Sequence, residues 1–177
     1  MHADTHGGKI KFTRSMLFIE MPSNKEWGPL FWTLLHGLAE RLGNQVLETM
    51  AADEAREIVL LLRGVETVMP CEKCRAHYHD YRIKNPFDAF SVRRGSFLRQ
   101  SVREWLYALH ETVNQRNQLP SFPLEELTPT YKFVNLGDVW TALFKYLQTS
   151  VAAGHISGES LKSFRRHLSL LRATLGV

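Results

Sequence analysis

The chain has 177 residues, 44% of them apolar and 23% charged, and 22 Lys and Arg set against 18 Asp and Glu leave a net charge of +4. That balance supports a folded domain with a real core and excludes a disordered polar chain. Acidic residues are interspersed among the basic ones, so no concentrated nucleic-acid footprint is expected. The longest aliphatic run, Ile58 to Leu62, falls far short of the roughly 20 apolar residues that span a bilayer.

Residues 1–25 read as an irregular arm in which MLFIEM (16–21) is a short strand or an apolar segment. The start MHADTHGGKIKF has no apolar stretch behind a basic head, so no secretory signal is expected. From Trp27 the pattern turns helical, with Leu30, Leu34 and Leu38 recurring every four residues, Pro29 in the first turn and Gly43-Asn44 as the stop. A second helix is predicted from Ala51 to Val68, and a third from Pro70 to just before Asn85-Pro86. A fourth runs from Ser96 to about Leu119, with Leu98, Val102, Trp105, Leu109 and Val113 as its core stripe. Three prolines make residues 120–136 loop-like. Asp138–Val151 reads as a fifth helix, and Ser157 opens a sixth that carries Leu161, Phe164, Leu168, Leu171 and Leu175. No alternating β-period is sustained, so the fold class is all-α. The predicted division is an arm (1–25), a four-helix core (26–123) and a two-helix C-terminal extension (124–177).

The chain's two cysteines form one CxxC, Cys71 and Cys74. A disulfide between them closes a tiny loop and staples nothing distant, so redox or metal chemistry explains the pair better than structure does. At the start of a helix, an offset of three puts both sulfurs on one face within disulfide reach. The helix N-terminus favours a thiolate on Cys71, which should be the more accessible sulfur, with Cys74 turned to the core. A c-type haem site needs His directly after the second Cys, where this chain has Arg75. A thioredoxin-like motif follows a strand, and none is predicted here. Zinc needs four ligands, and only His77 and His79 lie near, so no metal site is expected. Spacing alone leaves redox and metal chemistry open.

The wider pattern is more specific. Trp27-Gly28-Pro29, Trp32 and Leu35-His36 give WGPxxWxLLH. PCEKC follows, then Trp105-Leu106, His110, Val113-Asn114, Pro120 and Phe122. This ordered set resembles the Erv/ALR family of FAD-linked sulfhydryl oxidases over residues 27–122. The resemblance implies a small helical bundle with FAD at its mouth. It also implies thiol oxidase activity, with electrons passing from protein dithiols through Cys71–Cys74 to flavin and on to O2, which leaves as hydrogen peroxide. In that pattern Cys71 is attacked by substrate and Cys74 lies nearest the flavin. Gly28, Trp32 and His36 contact the cofactor from the first helix, and His77 and Tyr78 wall its isoalloxazine. His110, Val113 and Asn114 hold the adenine end, while Arg116 and Lys132 reach toward the phosphates. A homodimer is implied as well.

The chain departs from the family in several places. The positions of a second family disulfide are Tyr107 and Leu124 here, a loss of about 3 kcal/mol in the chain-entropy model that packing has to offset. Leu119 stands at a position that is basic in familiar members. No separate shuttle CxxC is present, so substrate reaches Cys71 directly or through another shuttle protein. The short form, the missing shuttle and the CRxHY…NP variation suggest a viral branch, whose enzyme makes disulfides for virion proteins in the cytosol, a cytoplasmic location. The last helix carries Lys162, Arg165, Arg166 and Arg172 opposite its apolar stripe, read as a solvated face, and the stripe itself must be buried on the bundle or in a subunit contact. The alternative to an oxidase is a non-enzymatic helical adaptor that binds zinc through Cys71, Cys74 and histidines.

Overall fold

The computed structural model describes residues 23–177; the segment read as MLFIEM lies outside the described residues. Seven α-helices follow in order: α1 (Asn24–Ala39), α2 (Glu48–Val68), α3 (Glu72–Lys84), α4 (Gly95–Arg116), α5 (Leu127–Tyr131), α6 (Leu136–Ala152) and α7 (Gly158–Leu175). Short 3-10 turns at Asp88–Val92 and Leu124–Glu126 complete the path. No strand occurs among the described residues, so the molecule is all-α as its periodicity implies.

Several helix bounds differ from the expectation: α2 begins at Glu48, three residues before Ala51, α3 at Glu72 rather than Pro70, and α6 at Leu136 rather than Asp138. α1 begins three residues before Trp27, where the Glu26 carboxylate accepts from the Ser23 amide at 2.7 Å and closes the first turn. Pro29 therefore sits inside the helix rather than in its first turn. Residues 120–136 are not all loop, because α5 forms there. Its Pro129 is the third helical residue, where the missing N–H is one of the helix's unpaired donors anyway.

One apolar cluster runs through the whole molecule. It joins Phe31, Leu34 and Leu38 of α1, Ile58, Leu61 and Leu62 of α2 and Val102 and Leu106 of α4 with Leu143 of α6 and Phe164, Leu168 and Leu171 of α7. α7 lies along α2, and α6 lies along α1. The apolar stripe of the last helix is thus buried on the bundle, while Lys162, Arg165 and Arg166 stay exposed. Gly43 turns the chain between α1 and α2 with φ 75°, and a Cβ there would lie 2.1 Å from the Gly95 carbonyl oxygen, so the turn admits only glycine.

Polar bonds tie α4 to the segment that follows it. Arg103 donates to the Leu124 carbonyl at 3.0 Å. Glu111 accepts from the Phe122 amide at 3.0 Å and from the Ser121 hydroxyl. Leu124 itself is 38% exposed, while Leu127 is buried. Burial works against the Glu111 charge, but these bonds together with one from Asn114 hold its carboxyl below the ordinary carboxylate range.

Candidate functional site

Cys71 and Cys74 form a disulfide with Cα atoms 5.1 Å apart. Cys71 is the N-cap of α3, and its Sγ accepts from the Cys74 amide at 3.1 Å. Both cysteines are half-buried and pack against the core. Arg75 pins this helix start, donating to the Met69 carbonyl at 2.7 Å and to the His155 carbonyl at 3.3 Å. The turn between α6 and α7 thereby helps to hold the redox helix.

Across from the disulfide lies the N-terminus of α1. The Asn24 carboxamide donates to Cys74 Sγ at 3.4 Å and to Cys71 Sγ at 3.6 Å. Steps of four along α1 then lead from Asn24 to Gly28, Trp32 and His36, a row that winds slowly round the helix. At about 1.5 Å per residue the row is roughly 18 Å long. Among the described residues nothing lies within 4 Å of a Cβ placed on Gly28, so the row is open between the disulfide contact and the first aromatic ring.

Beyond that gap the rings are stacked. Trp32 lies parallel to His110 with centroids 4.0 Å apart and planes 11° apart. His36 Nε2 and His110 Nδ1 are 3.1 Å apart, so one ring donates and the other accepts. Tyr131 stacks on His36 with centroids 4.9 Å apart. Burial, reinforced by His110 and Arg103, pushes His36 down to about 3, and burial pushes His110 down to about 4. Both imidazoles are therefore neutral at physiological pH; His36 is enclosed, 1% exposed, between the Trp32, His110 and Tyr131 rings, and His110 is the more open of the two.

α5 is anchored so that Tyr131 reaches this stack. Glu40 accepts from Arg103 at 2.7 Å and from Thr128 Oγ1 at 2.8 Å. Arg41 donates to the carbonyls of Tyr131 and Val134 at 3.3 and 2.7 Å. Phe122 lies 6.0 Å from Tyr131, centroid to centroid.

The remaining predicted residues fall into distinct places. His77 lies one turn after Cys74, 3.4 Å from Thr112 Oγ1, and burial together with the Arg116 charge lowers its affinity for a proton. Asn114 is buried and donates to Glu111 of the same helix at 2.9 Å, the carboxylate that also accepts from the Phe122 amide. Val113 is half-buried, and Arg116 is exposed at the end of α4. Lys132 is exposed beside Tyr131, its ammonium 5.6 Å from the Phe133 ring. Tyr78 does not join the group. It is 1% exposed, its hydroxyl donates to the Leu62 carbonyl at 2.7 Å, and its ring meets Trp105 edge-on. It is a core residue, turned inward because α3 needs an apolar face on α2 and α4. Trp105 and Phe87 belong to the same core. His79 points outward, within 2.8 Å of Glu66.

Sequence reasoning missed Asn24 and Tyr131. Asn24 precedes the Trp27 motif in a segment read as irregular. Tyr131 lies in the stretch that its prolines made look unstructured.

Among the described residues no group of three or more His, Cys, Asp or Glu side chains is placed to hold a metal ion. None of their helices is long and apolar enough to cross a membrane. The arrangement can accept two electrons at the disulfide and can stack a flat heteroaromatic group along α1.

Residues 29–132 match the sequence profile of the Erv1 / Alr family. An FAD-linked sulfhydryl oxidase ERV1 of Oryza sativa subsp. japonica is 27% identical over 105 residues, covering 59% of this chain and 48% of the rice protein. Its Arabidopsis thaliana counterpart is 26% identical over 105 residues, covering 59% and 49%. An FAD-linked sulfhydryl oxidase of African swine fever virus is 27% identical over 90 residues, covering 51% of this chain and 66% of the viral protein. The chain thus spans about half the length of the plant relatives. No solved structure gives a significant match. The profile covers more than half of the chain and encloses the disulfide helix, the histidine pair and Tyr131, so the chain belongs to the Erv1 / Alr family.

Proposed function

We propose that the protein is an FAD-dependent thiol oxidase that forms disulfides in protein substrates. The observation that carries this is the row on α1: a disulfide at its head, an open gap at Gly28, and a stack of neutral rings at its far end. A flat tricyclic ring system suits the gap beside the disulfide, and an adenine suits the more open imidazole, that of His110. Gly28, Trp32, His36, His77, His110, Val113 and Tyr131 are the residues offered to hold FAD, with Asn114 fixing the end of α4 and Arg116 and Lys132 toward the phosphates. Tyr78 supports α3 from below. Bound FAD would supply a two-electron acceptor that O2 reoxidises, with hydrogen peroxide as product.

The chain's own residues carry the thiol chemistry. A substrate thiolate attacks Cys71 Sγ, the S–S bond breaks, and Cys74 leaves as a thiolate. A second substrate thiolate then displaces Cys71, so that the substrate gains a disulfide and the cysteine pair gains two electrons. The α3 N-terminus favours the anion on Cys71 through the Cys74 amide.

The substrates are protein dithiols or a separate thiol-disulfide shuttle protein, O2 is the final acceptor, and the working unit is a homodimer. A cytosolic site of action and a viral source go with this reading, supported by the likeness to the viral relative.

Oxygen uptake with dithiothreitol tests the proposal. The purified protein should be yellow, release FAD on denaturation, and form peroxide as oxygen is consumed. Cys74→Ser should keep the flavin and lose turnover by at least about a thousandfold, since the electron relay needs both sulfurs. A colourless protein with stoichiometric zinc would refute the oxidase and support the adaptor.

A further inference from the structure

The two sulfurs of the disulfide do not share the same donors. Cys71 Sγ has the Cys74 amide at the N-terminus of α3, a donor that comes with the helix. Cys74 is the third residue of α3, and its own amide, one of the free donors of that first turn, is turned to Cys71 Sγ rather than to its own sulfur. Among the described residues, the hydrogen-bond donor to Cys74 Sγ is a side chain from a different helix, Asn24 at the start of α1, with Nδ2 at 3.4 Å. The same nitrogen is 3.6 Å from Cys71 Sγ, so the carboxamide straddles the bond that must break.

We propose that Asn24 is a catalytic residue whose amide N–H stabilises the thiolate released on Cys74 when a substrate thiolate opens the Cys71–Cys74 disulfide. Its consequence for turnover rests on the thiol-oxidase reading above; its effect on the sulfur does not. In the step concerned, the substrate thiolate forms a bond to Cys71 Sγ while the Cys71–Cys74 bond breaks. The electron pair of the broken bond stays on Cys74 Sγ. No proton moves, so the new negative charge must be met by a fixed donor or by water. Asn24 is neutral and acts as a donor only through its Nδ2, which already points at the sulfur before the charge appears. A preset donor of this kind lowers the cost of reaching the charged state. It also makes Cys74 a better leaving group, because a lower thiol pKa speeds departure. The division of labour is thus between backbone and side chain: the helix start serves Cys71, and Asn24 serves Cys74.

The test titrates one thiol at a time. In a Cys71→Ser background the protein keeps Cys74 as its single cysteine, and the pH dependence of its alkylation by iodoacetamide reports the thiol pKa. Asn24, Asn24→Ala and Asn24→Asp are compared in that background. The charged neighbours on the two helices (Lys25 and Glu26, Glu72, Lys73 and Arg75) are the same throughout, so the series isolates position 24. Removing a donor to a charged sulfur should raise the pKa by about one unit, a roughly tenfold loss of thiolate. The isosteric carboxylate should raise it further, by repulsion. In the protein with both cysteines, Asn24→Ala should lower thiol-dependent oxygen uptake by about tenfold with flavin content unchanged, as the rate follows the leaving group. A Cys74 pKa that is the same for Asn, Ala and Asp would overturn the assignment, whatever the turnover. An ordered rise across the series supports it even if the unmodified protein consumes no oxygen, an outcome that would count against the oxidase reading alone.

Discussion

Trp32, His36, His110 and Tyr131 form a stack whose imidazoles are kept neutral by burial. This has a consequence for pH. In the unfolded chain an imidazole takes a proton near pH 6.5, whereas in the fold His36 and His110 resist protonation down to about 3 and 4. Between those limits the unfolded state binds more protons, so the stability these groups contribute is present above about pH 6.5 and is lost as pH falls through that window. Each pH unit costs up to about 1.4 kcal/mol for one imidazole that stays fully neutral, and less for the more exposed His110. Denaturant midpoints measured between neutral and mildly acidic pH should fall on acidification, and His36→Gln should flatten the profile. A profile that is flat in the unsubstituted protein would contradict the buried neutral pair. Gly28 offers a second check at this scale. Among the described residues nothing lies within 4 Å of a Cβ there, so Gly28→Leu should leave the fold as stable or up to about 1 kcal/mol more stable through helix propensity, yet it should strip flavin from the purified protein. Full flavin content in that variant would remove Gly28 from the cofactor site. His110→Ala should likewise lower flavin content, through loss of a stacking face. The histidine and cysteine positions were legible in the sequence because WGPxxWxLLH, CxxC and HxxVN keep their order and spacing. Asn24 was not, because an asparagine ahead of a helix start reads as a cap or turn residue, and only the approach of α1 to α3 brings it to the sulfurs.

At the level of elements, the helices follow their apolar periodicity, and the misreadings are local. The extra turn at the start of α1 comes from the Ser23 and Glu26 pair, a capping signal hidden behind the stronger appearance of Trp27-Gly28-Pro29. α5 was hidden by prolines, although Pro129 occupies a first-turn position that a helix tolerates. Tyr78 was misplaced because spacing from Cys74 suggests the cofactor side, whereas α3 turns that position into the core to pack on Trp105. The apolar stripe of α7 was visible, but its target was not, since periodicity says which face is buried and not against what. That target is α2. Phe164 is 1% exposed, lies 6.1 Å from Phe31 ring to ring, and approaches Gly64 so closely that a Cβ there would sit 3.1 Å from its ring. Phe164→Ala should therefore cost about 3–5 kcal/mol, as a large buried aromatic leaves a cavity behind. A urea midpoint giving a loss below about 1 kcal/mol would show that α7 is only loosely attached.

Over the whole molecule, the α6–α7 pair and the redox helix are joined. Arg75 donates both to the Met69 carbonyl just ahead of the CxxC and to the His155 carbonyl between α6 and α7, and α6 and α7 share the core of the four helices that carry the site. Family membership rests on residues 29–132, while the two helices beyond them supply packing and that tie. The account as a whole requires reducing equivalents to leave the cysteine pair for a flavin seated along α1. The most direct measurement is anaerobic. Purified protein is mixed with dithiothreitol without oxygen, and the visible flavin absorbance is followed, alongside Cys74→Ser at equal flavin content. The account predicts rapid bleaching in the unsubstituted protein, recovery of colour on admission of air, and persistence of the yellow colour in Cys74→Ser over the same period. Equal bleaching rates in the two proteins, or no bound flavin at all, would contradict it.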